Sequence, residues 1–170
     1  MKEYWPQKVS KIAAELLQLS LHMVVLDNVT NGRLSDVLTN TQNHREYFVG
    51  SINVNNDNGN SALFSVKLQE LTSNSKYFQN HILSAMDYAA NWFGYVSYRV
   101  LLFELPSKDT DIKTVVIAIN GSTKTVIQQF IFNMNEKTVD DFRNAVINYS
   151  LDLITENLMN IPHLKLLNYE

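Results

Sequence analysis

The residues best placed to do chemistry lie together in D-N-V-T-N-G, Asp27 to Gly32, where an apolar run stops and a helical pattern starts at once. A strand that ends in a short polar turn and re-enters as a helix is where open α/β sheets hold ligands. A carboxylate, an amide and a hydroxyl at such a turn could orient or activate a substrate. Backbone N–H groups at the helix start near Gly32 would favour an anion such as a phosphate. The candidate ligand-binding residues are therefore Asp27, Asn28, Thr30, Asn31 and Gly32, joined by Asn55 and Asn60 from the next polar loop. A plainer reading stands beside this one: Thr30 or Asn31 caps the helix, and asparagines gather in turns because they suit turns.

Other chemistries are poorly served. The chain has no cysteine, so thiolate metal sites, disulfides and Cys nucleophiles are excluded. His22, His44, His81 and His163 show no ligand spacing, and no metal is expected. No phosphate-cradling glycine motif occurs, and no cofactor is implied. Arg99 and Glu104 read as an edge or surface pair, and Tyr77, Phe78, Trp92 and Phe93 as core or interface. A net charge of −3 argues against a nucleic-acid partner. The N-terminal pattern is broken by polar residues and is no signal peptide, and no apolar run approaches the roughly 20 residues that span a bilayer. The expectation is a cytoplasmic chain with no membrane partner.

The elements that must position the turn are legible from periodicity. Val9, Ile12, Ala13, Leu16 and Leu17 make a helical stripe over 8–20, and "LHMVVL" (21–26) suits a strand buried on both faces. Leu34, Val37 and Leu38 predict a short helix, 47–55 a second strand, and 61–68 another short helix. A helix follows over Phe78–Phe93 with Gly94 to end it, then strands at 95–104, 113–120 and 124–133. "NGST", Asn120 to Thr123, reads as a hairpin whose Asn-Gly supplies two positive φ angles. The closing helix carries Val139, Phe142, Val146, Tyr149 and Leu153, with Thr138 and Asp141 as a capping box. At 170 residues and 45% hydrophobic, the chain suits a single domain, 1–170, with a core at about 8–158 and a tail at 159–170. The expected fold is α/β: a three-layer α/β/α sandwich on a mixed, mostly parallel sheet of about five strands.

This order resembles the C-terminal domain of the CinA family of competence/damage-inducible proteins, a nicotinamide mononucleotide amidohydrolase. Asp27-Asn28-Val29-Thr30-Asn31-Gly32 falls on the family's E-S-C-T-G-G, Tyr47-Phe48-Val49-Gly50 on its Y-F-x-G, and "KTVVIAINGSTKTVIQQFIF" is similar to its hairpin. The resemblance covers about 8–158. It implies a serine nucleophile where this chain has Asn28, and a tyrosine and lysine where it has Asn55 and Asn60. A third motif, T-G-x-A-G-P, falls on Leu101 to Pro106, with Leu101 replacing the threonine and Leu102 and Leu105 replacing the glycines. An amide offers no nucleophilic electron pair, and leucines there would fill space a nucleotide needs. The expectation is a catalytically inactive module that binds a nucleotide or other small molecule, or regulates. Two alternatives are an amidohydrolase using Thr30, Ser51 or Ser61 as substitute nucleophile, and a self-associating structural protein. The resemblance also implies a homo-oligomer, with Ile161–Leu167 adding contact surface.

Overall fold

The computed structural model describes residues 5–54, 77–121 and 124–161. In chain order the elements are α1 (Trp5–Gln18), β1 (Met23–Asp27), α2 (Arg33–Leu38), α3 (His44–Tyr47), β2 (Phe48–Asn53), α4 (Phe78–Phe93), β3 (Tyr98–Glu104), β4 (Ile112–Asn120), β5 (Thr125–Asn133) and α5 (Val139–Met159). The strands form one sheet in the order β2-β1-β3-β4-β5. β1 pairs in parallel with both β2 and β3, whereas β3–β4 and β4–β5 are antiparallel. The sheet is thus mixed, as expected, but its longer ladders are the antiparallel ones.

Two helical layers cover it. Met23 and Val25 of β1, Tyr98, Val100 and Leu102 of β3, and Val115, Ile117 and Ile119 of β4 face a core shared with α1, α2 and α5. The alternate residues, Val24, Leu26, Leu101, Phe103, Val116 and Ala118, face the apolar stripe of α4. The two-residue period of a strand delivers these two sets to opposite faces. All five β1 residues are buried, as a parallel strand covered on both sides requires.

Local signals explain most boundaries. Ser20 takes a left-handed φ of 52°, and Leu21 N–H returns to Leu16 O at 2.8 Å, a Schellman closure of α1. That turn consumes Leu21, so the strand begins at Met23 and runs through Asp27 rather than spanning 21–26. Gly94, at φ 82°, ends α4. Thr138 Oγ1 accepts from Asp141 N–H at 3.1 Å while Asp141 Oδ2 accepts from Thr138 N–H at 2.9 Å, completing the capping box of α5.

Several expectations are corrected. Tyr47 closes the one-turn helix α3 instead of opening β2, because its buried hydroxyl donates to Leu38 O at 2.6 Å and pins the segment against the end of α2. The β4–β5 hairpin forms without a two-residue Asn-Gly turn: Asn120 stays in the ladder opposite Thr125, and neither Asn120 nor Gly121 has positive φ. Arg99 and Glu104 are not a pair, since β3 is the central strand and the two lie at its opposite ends. Arg99 instead reaches Asp87 at 3.4 Å and Asn120 Oδ1 at 3.1 Å, and Glu104 meets Lys113 at 2.5 Å. The helix expected at 61–68 lies outside the described residues.

Candidate functional site

β1, β2 and β3 run in the same direction and end at one edge of the sheet, at Asp27, Asn53 and Glu104. The D-N-V-T-N-G turn sits on this edge. Its geometry is built around Asp27, whose side chain is buried at 2% exposure. Oδ1 accepts from Val29 N–H at 2.8 Å and Thr30 N–H at 2.7 Å, and Oδ2 accepts from Gly32 N–H at 3.1 Å and from the Thr30 hydroxyl. Left-handed angles at Asn31 (φ 54°) and Gly32 (φ 81°) curl the chain so that these donors converge. A side chain at Gly32 would also meet Asn53, whose Nδ2 lies 3.0 Å from where a Cβ would be. The concavity that would favour a bound anion is therefore occupied by the turn's own carboxylate.

Thr30 is fully buried. Besides donating to Asp27, its hydroxyl accepts from Leu34 N–H at 3.1 Å, and its carbonyl accepts from Arg33 N–H at 3.3 Å. Thr30 thus caps the first turn of α2, as the plainer reading held. A hydroxyl with both roles taken and no solvent exposure is not presented to a substrate, which removes the geometric basis for Thr30 as a substitute nucleophile.

Asn28 stands where the resemblance implies a serine, and its groups extend the β1–β3 ladder. Its N–H donates to Leu102 O at 3.2 Å, and its Oδ1 accepts from Glu104 N–H at 2.9 Å. The side chain supplies the acceptor that a longer β1 backbone would have offered. Glu104 and Asn53 are site residues that the sequence did not suggest. Only the strand register places them beside the turn, and neither carries a local motif.

The other positions separate. Leu101 is buried on the α4 side with Leu105, while Leu102 packs on the opposite face, so the three leucines do not line one pocket. The expectation that together they fill a single nucleotide volume is corrected by the alternation of the strand. Ser51, a proposed nucleophile, sits inside the β2 ladder opposite Val25. Asn55, Asn60 and Ser61 lie outside the described residues. The rim of this edge carries two ion pairs, Glu104–Lys113 and Arg33–Asp140, the second at 2.8 Å. Each is partly exposed and contributes of order 1 kcal/mol or less.

The Tyr47–Gly50 motif also proves architectural. Tyr47 is buried, and its hydroxyl meets Thr41 Oγ1 at 2.8 Å as well as Leu38 O; burial raises its pKa. At Gly50, an added Cβ would fall 2.4 Å from Phe93 Cε1, so glycine lets the α4 ring lie directly on β2. An open depression of about 120 Å³, lined by Lys124, Val126, Gln128, Leu153, Glu156 and Asn157, lies between β5 and the end of α5. It is at the other end of the sheet from the turn. Among the described residues no three His, Cys, Asp or Glu side chains come together to hold a metal, and no helix is long and apolar enough to cross a membrane.

No protein-family model and no curated protein matches the chain. Solved structures do. The chain superposes on a competence or damage-inducible protein from Enterobacter asburiae with a TM-score of 0.71 and 19% identity, covering 91% of this chain and 98% of that one. A competence-damaged protein (CinA) superfamily protein from Enterobacter cloacae gives 0.69 and 20%, over 89% and 90%. The competence damage-inducible protein A from Klebsiella pneumoniae gives 0.73 and 13%, over 92% and 98%. The fold implied by the resemblance is thus the fold observed.

Proposed function

We propose that this chain, which has the fold of the CinA-superfamily proteins, is a non-hydrolytic module of that type, binding a nucleotide or other small molecule in a regulatory role. The observation that carries the reading is the saturation of the turn. Asp27, Asn28 and Thr30 spend their functional groups on the backbone of the turn and its neighbours. An acyl-transfer site needs a nucleophile with an adjacent base and donors aimed at the developing oxyanion. Here the carboxylate already has four donors, the hydroxyl is buried, and the remaining residue is an amide. Ligand contacts fall to groups on the rim: Asn31, Asn53 and the Glu104–Lys113 pair.

The test is ammonia release from nicotinamide mononucleotide by purified protein, beside an Asn28→Ser variant and an authentic amidohydrolase of this superfamily as positive control. Silence from wild type and variant is expected, because restoring a hydroxyl at 28 supplies no base. Turnover by the wild type that Thr30→Ala abolishes would overturn the proposal in favour of the substitute-nucleophile reading. Thermal shift with nicotinamide mononucleotide and its deamidated product addresses binding. Stabilisation by either supports the ligand role, and none at millimolar concentration removes it for these compounds.

A further inference from the structure

β5 forms one edge of the sheet, and among the described residues no strand pairs with its outer side. Natural edge strands are protected against pairing by charge, proline, a bulge or short length. β5 has none of these. Its sequence, TVIQQFIFN, carries no charge and no proline, and its nine residues pair with β4 from Thr125 to Asn133 without a register shift. That is an open edge of about 30 Å. Ile131 on its outer surface is 66% exposed, and Gln129 beside it is exposed as well.

The side-chain pattern is self-complementary. With a two-fold axis through Gln129, antiparallel pairing sets Ile127 against Ile131 of a second copy, Val126 against Phe132, and Gln129 against itself. This register uses the full length of the strand and puts Val126, Phe130 and Phe132, which already pack toward α5, on a common face. A slip centred on Ile127 would leave Ile131 unpaired, so the apolar pattern selects one register. Alternate residue pairs exchange two backbone bonds, giving roughly eight to ten between the copies. We infer that β5 pairs with β5 of a second copy of this chain about a two-fold axis through Gln129, joining two five-stranded sheets into one. The interface is isologous and closed, which ends assembly at the dimer.

The absence of cysteine makes the test direct. In Gln129→Cys, the two introduced residues face each other with Cα atoms about 4.5–5.5 Å apart, inside the range a disulfide spans. In Ile131→Cys they are offset by four residues along the strands, about 14 Å. Mild oxidation is expected to cross-link the first variant and not the second, while mixed Ile127→Cys and Ile131→Cys proteins cross-link to each other. Sedimentation is expected to show a wild-type dimer that Gln129→Lys dissociates with its circular dichroism unchanged, because like charges then meet on the axis. A wild-type monomer at high micromolar concentration would overturn the inference. So would a dimer in which Gln129→Cys cross-links no faster than Ile131→Cys, or one that Gln129→Lys leaves intact.

Discussion

Replacing Asp27 by asparagine preserves the side chain's shape while removing its charge and one acceptor. Oδ1 can still accept from Val29 and Thr30 N–H, and the Thr30 hydroxyl can reverse to accept from the new amide. Gly32 N–H cannot be accommodated: at 3.1 Å it would face an NH₂ group, donor against donor, in a part-buried turn. An unpaired buried donor costs about 1–3 kcal/mol, and hydrogen bonds to an ionised acceptor are roughly twice as strong as neutral ones. Losing one such bond and weakening the others amounts to about 3 kcal/mol. For a domain of this size that corresponds to a fall of roughly 6–12 °C in Tm. Urea unfolding followed by tryptophan fluorescence measures it, with an unchanged m-value showing that the denatured state is the same. A carboxylate kept for chemistry behaves differently, because its removal leaves stability unchanged or raises it. An Asp27→Asn variant within about 0.5 kcal/mol of wild type, or more stable, would refute the assignment of Asp27 to architecture.

Gly50→Ala forces a Cβ into the Phe93 ring and is expected to cost about 1–3 kcal/mol, with Phe93→Leu in the same chain recovering a large part of it; a double-mutant cycle by thermal unfolding gives the coupling. Tyr47→Phe removes a buried hydroxyl and leaves Leu38 O without that donor, and a loss of about 1–2 kcal/mol is expected in chemical denaturation. Hydrogen bonds from the Thr138 N–H and hydroxyl hold the Asp141 carboxyl below its usual value of 3.8. A lowered folded-state pKa adds stability that is full above 3.8 and is lost as pH falls through the folded value. Asp141→Asn should therefore lower Tm at neutral pH, with the gap closing below pH 3.8 in a pH series of thermal melts.

Much of the chain was legible because local physics decides it. The helical stripes of α1, α4 and α5, the buried run of β1, Gly94 as a stop and Thr138–Asp141 as a capping box each depend on residues within a few positions of one another. Boundaries failed where a side chain acts at a distance, as Tyr47 does on Leu38, or where a signal had an alternative use. Asn120 and Gly121 look like a tight turn, yet Asn120 serves the ladder as the acceptor for Arg99 and a donor to Thr125 Oγ1.

At the turn, composition and spacing alone established that a carboxylate, an amide and a hydroxyl lie between a strand and a helix. They also established that Asn28 cannot be a nucleophile, since that follows from its covalent structure. Whether Asp27 and Thr30 reach outward to a ligand or inward to their own backbone is a matter of φ angles at Asn31 and Gly32 and of burial between helix layers. Residue types cannot specify that choice, because the same groups make either set of hydrogen bonds. The separation of Leu101 from Leu102, the arrival of Glu104 and Asn53 beside the turn, and the position of β5 at an edge all follow from strand order and register. Those are non-local pairings, and only the folded sheet decides them.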